Sequence, residues 1–321
     1  MDLTMSADQR DLRAGLRDYL QGTWTPDRLR AAAETPALDR GDWSGLAGLG
    51  VFGLTVPEAA GGMGLGLVDA AIVFEELGRA LVPGPLVATF LAAGPVPGAD
   101  DGGAVVTSLD LRDPVLVAEH LDSATHVVAV GDDGLHLWPA EALVAEPAPA
   151  PLDPLTPVSR VKTPPVAGER IGSAADAAGW RLRGAVLTSA LQVGVAQGAL
   201  DLAVRYAGER TQFGRVIGSF QAVKHLLADS LVRVDLARAA VWAAALTVDD
   251  PEAGDPGEAA SAAKVLADDA ASQGGRCCVQ VHGGMGFTWE VLAHLYLKRA
   301  WLQETCFGQA DEHARHLAEA L

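Results

Sequence analysis

The chain has 321 residues, of which 49% are hydrophobic, so it can bury a large core and form two or three domains. Its formal net charge of -17 argues against nucleic acid and anionic membranes as partners, because both require a basic surface that displaces counterions. Three cysteines, two of them adjacent at Cys277 and Cys278, cannot form a secreted disulfide framework and do not support a metal site.

The compartment is expected to be a reducing cytoplasm. The first residues contain no basic segment followed by an apolar stretch. No later stretch looks long, apolar and uncharged enough for a membrane span, so we expect a soluble protein.

The N-terminal domain, residues 1–100, is predicted to be mainly helical. Apolar residues recur at helical spacing between Ala7 and Leu81, and the glycine-rich stretch Gly61–Gly66 interrupts the pattern. Those glycines lack a preceding strand and a βαβ unit, so they predict a loop and not a dinucleotide-binding turn.

The middle domain, residues 101–172, is predicted to be a reduced β domain. Short strands are expected at 104–108, 126–130 and 135–138, with a hairpin turn at Asp132-Asp133-Gly134. Five prolines in Pro147–Pro157 predict a loop.

The C-terminal domain, residues 173–321, is predicted to be a helical bundle. Helices are expected at 174–209, 219–248 and 258–281, with shorter pieces after Trp289. The fold class is therefore mainly α with a small β domain, and the apolar stripes of the bundle predict core and no chemistry.

Two segments of the bundle are too particular for packing alone, namely Arg210–Gln221 and Gln280–Glu290. In the second, Gly283, Gly284 and Gly286 occupy three of four positions, which lets a backbone approach a ligand or another chain. Arg210 at the end of a helix can donate two hydrogen bonds to a phosphate.

These segments resemble the acyl-CoA dehydrogenase family, as does the N-terminal region with its runs Gly53–Glu58 and Glu75–Arg79. The resemblance implies a helical domain, a β domain and a four-helix bundle, assembled into dimers or dimers of dimers. It also implies FAD as cofactor and an acyl-CoA thioester as substrate. In that family a carboxylate removes the α-proton, and hydride passes from the β-carbon to flavin N5.

The site residues follow from the same resemblance. Arg210, Gln212 and Phe213 match positions that reach the flavin held mainly by a neighbouring subunit. The loop with Gln280, Gly283 and Gly284 matches the one that lies against the ADP half of that flavin.

The chain departs from the family at both usual positions of the catalytic base. The expected glutamate near the end of the bundle is replaced by Phe307, and the alternative position on the first bundle helix by Gly184. Glu304, three residues before Phe307, is the candidate for a relocated base.

The middle domain also lacks the Thr-Glu-Pro and Trp-Thr/Ser-Asn runs that contact the flavin ring. This combination resembles the short subunits of two-component, heterotetrameric actinobacterial acyl-CoA dehydrogenases, in which a longer homologue supplies the base and the substrates are often bulky acyl-CoA thioesters. Two alternatives stay open. One is a self-sufficient homo-oligomer with a relocated base, and the other is an assembly subunit without flavin.

Overall fold

A computed structural model describes residues 4–163 and 168–320, which form two compact units. The first comprises the described residues up to Ala31, Ala71–Val82 and those from Ala185 onward. The second comprises Ala32–Ala70 and the described part of Pro83–Gly184. The three-domain division at residues 100 and 172 stays a prediction.

The helical character of the N-terminal region is confirmed. Ser6 and Gln9 form a capping box that fixes the start of the first helix, since each side chain accepts a hydrogen bond from the other's backbone N–H. Gly61–Gly66 lies outside any helix, as predicted. The helices are α1 (Ala7–Thr23), α2 (Pro26–Glu34), α3 (Arg40–Gly48), α4 (Leu67–Arg79) and α5 (Leu86–Ala92).

The C-terminal region forms the predicted long helices, with ends that differ from the prediction by at most two residues. The longest helix has the predicted bounds. Another helix begins at an N-cap in which the Asp255 carboxylate accepts a hydrogen bond from the Glu258 N–H, and Pro256 occupies its first turn. The helices are α6 (Ala174–Glu209), α7 (Gln221–Asp249), α8 (Pro256–His282), α9 (Ala293–Gln303) and α10 (Ala310–Glu319), and α7, α9 and α10 all pack on α8.

One helix departs from the expectation about membrane-spanning stretches. By length and composition α6 is able to cross a membrane, since an 18-residue window within it reaches a mean hydropathy of 1.2. However, 83% of that window is buried inside the protein, as in the core helix of a soluble bundle.

Glycines bring α4 and α6 into backbone contact. A Cβ on Gly194 of α6 would lie 1.9 Å from the carbonyl oxygen of Glu75, and one on Gly78 of α4 would lie 2.0 Å from that of Leu191. Real Cβ atoms do not approach so closely, so both positions require glycine. This gives the Glu75–Arg79 motif a packing role.

Ion pairs fix α4 to three neighbouring helices. Glu76 accepts from Arg17 of α1 at 2.8 Å, and Arg79 donates to Asp201 of α6 at 2.7 Å. Glu75 pairs with Arg238 of α7 at 3.0 Å. Burial raises the pKa of Glu75, although Arg238 opposes this shift.

The sheets of the second unit contain more strands than the sequence predicted. One sheet has the order β1-β3-β4-β7, in which β1 and β3 are parallel and the other pairs antiparallel, and the second has the antiparallel order β2-β6-β5. The strands are β1 (Val106–Asp110), β2 (Val117–Glu119), β3 (His126–Val130), β4 (Gly134–Pro139), β5 (Val144–Pro147), β6 (Val158–Thr163) and β7 (Glu169–Ser173).

The core of this β region lies among inward-facing side chains of both sheets. It includes Leu109, Val127 and Ala129 from the first sheet and Ala118 and Val161 from the second. Predicted strand 126–130 has the observed bounds of β3, whereas the first strand begins two residues later than predicted. Residues 148–157 contain neither helix nor strand, in agreement with the predicted loop.

Candidate functional site

A tight hairpin follows α6 and carries the first predicted site residues. It consists of β8 (Thr211–Gln212) and β9 (Arg215–Val216), joined by Phe213 and Gly214. Both loop residues have positive φ, +52° and +78°. Two-residue hairpin loops of this kind form type I′ turns, which favour Asn or Gly at both positions.

Phe213 is an unusual occupant of that turn. A bulky side chain at positive φ is strained by about 1–3 kcal/mol. The ring is also 92% exposed, and its one ring contact in the described part of the chain is an edge-on approach to Phe220 at 6.2 Å. Strain and apolar exposure at one residue indicate a binding role, because neither stabilises the isolated chain.

Arg210 and Gln212 lie beside this turn with their polar groups directed to solvent. The Arg210 side chain is exposed, and within residues 4–163 and 168–320 it has no ion-pair or hydrogen-bond partner. Among the same described residues, the Gln212 side-chain amide donates to the Thr211 carbonyl at 2.8 Å and to no other group. Both side chains therefore remain available as hydrogen-bond donors.

The second predicted segment caps α8. Gly283 ends the helix with φ +61°, and its N–H bonds back to the Gln280 carbonyl. Gly283 and Gly284 are exposed, and a Cβ on either would meet open space, so the backbone there is accessible. Gly286 differs, because a Cβ would lie 2.5 Å from the Val279 carbonyl oxygen. Gln280 is exposed as well.

The two segments lie at the same end of the bundle. Tyr206, one turn before Arg210, stacks on the His282 ring with centroids 4.2 Å apart. Its hydroxyl also contacts the Met285 sulfur at 3.9 Å. The ends of α6 and α8 are thus fixed to each other, which places the hairpin and the glycine loop side by side.

The residues at this end fit the chemistry of FAD. An unpartnered guanidinium suits a diphosphate, exposed glycine backbone permits close approach, and a projecting aromatic ring suits a planar group. Within residues 4–163 and 168–320, no group of three or more His, Cys, Asp or Glu side chains is placed to hold a metal ion. The roles of the six predicted residues stay a prediction.

The position expected for the base near the end of the bundle is a fixed turn. Phe307 and Gly308 have φ of +55° and +95°. His313 donates from Nε2 to the Phe307 carbonyl at 3.0 Å, and its Nδ1 accepts from the Ser261 hydroxyl at 3.0 Å. Burial lowers the pKa of His313, which favours the neutral ring.

The two remaining positions that concern the catalytic base are Gly184 and Glu304. Gly184 is buried within α6 and carries no functional group. Glu304 is half-buried at the end of α9, and its main-chain carbonyl lies 3.4 Å from the Lys264 ammonium. Whether Glu304 acts as a base stays a hypothesis.

Sequence reasoning missed a buried ion pair near Glu304. The Lys264 ammonium, fully buried, lies 2.8 and 2.7 Å from the two carboxylate oxygens of Asp268. Burial raises the pKa of Asp268 to about 6, while Lys264 and Gln192 oppose the shift. The sequence signal for this pair was a Lys and an Asp four residues apart in an alanine-rich helical stretch.

The carboxyl ends of parallel strands β1 and β3 hold a second set of charges. Asp110 accepts from Arg181 at 2.6 and 2.9 Å, and Arg181 also donates to the Val130 carbonyl at 3.0 Å. Burial raises the pKa of Asp110, but hydrogen bonds from Arg181 and Arg112 outweigh it and lower the value to about 2. The Arg181 and Arg112 N–H groups therefore already form hydrogen bonds within the second unit.

Comparison with known proteins identifies the family. Residues 6–97 match the acyl-CoA dehydrogenase N-terminal domain, and residues 177–321 match the C-terminal domain. Acyl-CoA dehydrogenase IpdE2 of Mycolicibacterium smegmatis is 34% identical over 98% of this chain and 98% of that protein. Acyl-CoA dehydrogenase FadE34 of Mycobacterium tuberculosis is 34% identical over 92% of this chain, which spans only 46% of FadE34.

Solved structures agree with this assignment. The Tcur3481-Tcur3483 steroid ACAD variant is 27% identical with a TM-score of 0.85, and the match covers 97% of each chain. The ChsE4-ChsE5 complex from Mycobacterium tuberculosis shares the fold, with 23% identity, a TM-score of 0.85 and coverage of 99% and 98%. Because both terminal domains and a full-length relative match, the chain belongs to the acyl-CoA dehydrogenase family of oxidoreductases, as its motifs predicted.

Proposed function

We propose that the chain is a subunit of an FAD-dependent acyl-CoA dehydrogenase that completes a flavin site held mainly by a longer homologous subunit. The observation that carries this proposal is the strained, exposed Phe213 beside the free guanidinium of Arg210. Among the described residues the Arg210 side chain has no polar partner and the Phe213 ring has one edge-on contact, so a partner's ligand is the best account of their geometry.

Each predicted residue has a distinct role in this proposal. Arg210 donates to the diphosphate of the partner's FAD, and the amides of Gln212 and Gln280 add neutral hydrogen bonds. Gly283 and Gly284 allow the backbone N–H groups to approach the ADP half. FAD, when bound, supplies the hydride acceptor of the dehydrogenation.

The chain itself is proposed to lack the proton-accepting group. Phe307 and Gly184 offer no carboxylate, so the longer subunit supplies the base that removes the α-proton of the acyl-CoA thioester. The solved relative Tcur3481-Tcur3483 is a steroid ACAD, which supports a bulky acyl group as the substrate of this chain's complex.

The proposed partner is a longer acyl-CoA dehydrogenase homologue, in a heterotetramer. Two observations support it. One solved relative is a complex of ChsE4 with ChsE5, and the other, Tcur3481-Tcur3483, likewise carries the names of two proteins. The cytoplasm is the proposed compartment, with neither membrane nor nucleic acid as partner.

Flavin stoichiometry tests this proposal. The chain purified alone should hold clearly less than one FAD per chain. Co-expressed with a longer homologue from the same organism, it should yield a complex with about one FAD per pair of unlike chains. A stable homo-oligomer of this chain, fully loaded with FAD, would contradict the proposal. A complex without any flavin would favour the flavin-free assembly subunit.

The self-sufficient homo-oligomer is the second candidate, favoured by the half-buried Glu304 at the end of α9. It is tested by bleaching of the flavin absorbance on addition of saturated acyl-CoA thioesters to the FAD-saturated chain. We expect no bleaching, because no carboxylate stands at either base position. Bleaching that disappears in Glu304→Gln would establish the second candidate.

A further inference from the structure

The hairpin after α6 carries a second arginine, which the proposed flavin site does not use. Arg215, the first residue of β9, is exposed, and within residues 4–163 and 168–320 it forms neither an ion pair nor a hydrogen bond. Its guanidinium carbon lies 4.0 Å from the centroid of the Phe220 ring, which is a cation–π distance. This contact holds the planar guanidinium against the ring, so an anion that binds it costs little additional side-chain entropy.

The register of the hairpin places Arg215 on the same face as two of the predicted flavin contacts. Gln212 pairs directly with Arg215 across the two strands. Directly opposed residues of an antiparallel pair share a face, with their Cβ atoms about 4.5–5.5 Å apart. The Ile217 N–H donates to the Arg210 carbonyl at 2.8 Å and so extends the ladder by one step. Because successive residues alternate between faces, Arg210 lies on this face as well.

The two guanidinium groups of this face contrast with the charge of the whole chain. Asp and Glu outnumber Lys and Arg by 41 to 24. Several other arginines pair with carboxylates of the chain itself, namely Arg79 with Asp201, Arg181 with Asp110 and Arg238 with Glu75. A hairpin face with two arginines that lack a carboxylate partner among the described residues suits anions of another molecule.

The surroundings of Arg215 suit a protein surface better than a second phosphate. Its guanidinium lies over Phe220, and the exposed Phe213 meets that same ring edge-on at 6.2 Å. Val216, beside Arg215 in the strand, is 39% exposed. Arginine combined with exposed aromatic side chains is typical of the residues that dominate the binding energy of protein interfaces. A phosphate gains nothing from apolar neighbours, whereas a protein partner buries them.

We propose that Arg215 forms an ion pair across the subunit interface with a carboxylate of the longer homologous subunit. This inference rests on the proposed function and adds a partner-binding residue to the six cofactor contacts. The occupant is an Asp or Glu side chain, because a guanidinium held flat on a ring can bind a carboxylate through two parallel hydrogen bonds. One hairpin face then serves both subunit association, through Arg215, and flavin binding, through Arg210.

Four variants test the assignment. Arg215→Ala removes both the charge and the stacked guanidinium, whereas Arg215→Lys keeps the charge without the planar fork. Arg276→Ala is the matched control, because Arg276 of α8 is also exposed and also lies over an aromatic ring, that of Trp301 at 5.3 Å. Arg210→Ala provides the contrast, since it removes the proposed phosphate contact on the same face.

The affinity of each variant for the longer homologue is measured by isothermal titration calorimetry after flavin has been removed from both chains. Arg215→Ala should weaken association roughly 10-fold to 100-fold, and Arg215→Lys should recover only part of that loss. Added NaCl should weaken the unmodified pair more than the Arg215→Ala pair, because the variant lacks the ion pair that salt screens. Arg276→Ala and Arg210→Ala should associate as the unmodified chain does.

Flavin release is measured on the same variants at concentrations that keep the unlike chains associated. Arg210→Ala should lose FAD faster than the unmodified complex, whereas Arg215→Ala should retain it. Faster FAD loss from the Arg215→Ala complex, with unaltered association of the flavin-free chains, would make Arg215 a second phosphate ligand and overturn the inference.

Two further results would overturn it. Equal affinities of Arg215→Ala and Arg276→Ala for the longer homologue would exclude an interfacial ion pair at Arg215. Weaker self-association of the Arg215→Ala chain, with unaltered affinity for the longer homologue, would assign the contact to a second copy of this chain. In all of these cases the unlike chains still form a complex, whereas the absence of any complex with the unmodified chain would contradict the proposed function itself.

Discussion

Replacing Lys264 by methionine tests how far the buried ion pair governs the stability of the bundle. Methionine keeps an unbranched chain of similar length but removes the ammonium that lies 2.8 and 2.7 Å from the Asp268 oxygens. The carboxylate is then buried without its cation. Breaking a buried pair in this way costs roughly 3–5 kcal/mol of unfolding free energy.

The cost should depend on pH, and its sign follows from Asp268. Its folded pKa of about 6 lies above the ordinary value of an unfolded aspartate, so the stability it contributes is fully present below that ordinary value. This stability is lost as pH rises through about 6. Because Lys264 lowers the pKa, its removal raises the value further, and the protonated carboxyl can be buried at moderately acidic pH.

We therefore expect Lys264→Met to lose less stability at about pH 5 than at about pH 8. Unfolding in urea, followed by far-ultraviolet circular dichroism at both pH values, measures the difference. The double variant Lys264→Met/Asp268→Leu should recover most of the loss, since no isolated charge remains.

The exposed pair of Arg233 on α7 and Asp269 on α8, at 3.0 Å, provides a control ion pair in the same bundle. Arg233→Ala should cost at most about 1 kcal/mol, because solvent screens this pair. A cost for Lys264→Met that is independent of pH, or that the double variant does not reduce, would refute the reasoning. The lysine would then act through packing of its methylene chain.

Further predictions concern the hairpin and the helix crossing. Arg210→Ala should weaken FAD retention in the complex by roughly 1.5–3 kcal/mol, measured by flavin release on dilution, with little change in the thermal midpoint of the flavin-free chain. A large drop in that midpoint would make Arg210 structural. Phe213→Asn should stabilise the isolated chain by about 1 kcal/mol in thermal unfolding, because Asn tolerates positive φ. The same variant should reduce flavin retention by the complex, and unchanged retention would contradict the proposed flavin contact of Phe213. Gly194→Ala should destabilise the chain by more than about 3 kcal/mol, because its Cβ would lie 1.9 Å from the Glu75 carbonyl oxygen. In the control Gly179→Ala, on the same helix, the added Cβ meets open space, so this variant should be neutral or stabilising. Equal unfolding midpoints for these two glycine variants would contradict the close helix crossing.

Much of the architecture was predictable from local sequence. The predicted helix 174–209 is the observed α6, and the predicted strand 126–130 is the observed β3. Long apolar repeats and short β-branched runs have periodicities that are recognisable in the local sequence. Strands such as β2 (Val117–Glu119) and β7 (Glu169–Ser173) were missed, since they are short and their partners lie far away in the chain. Pairing between distant segments leaves no local signal.

The family and the candidate site residues also followed from sequence alone, because motifs at chain turns keep their spacing. What the sequence did not predict is how these residues are used. The strain at Phe213 depends on backbone angles, and the stacking of Tyr206 on His282 depends on a contact between segments remote from each other in the chain.

The pairing and burial of charged side chains is the clearest example of what only the tertiary structure determined. The sequence places Glu75 on one helix and Arg238 on another, 163 positions further along the chain, and nothing local pairs them. Lys264 and Asp268 are one helical turn apart, yet their burial follows from the packing of α9 and α10 on α8. Local sequence determines which element a side chain stands on, whereas desolvation and the identity of its partner arise only when the elements pack.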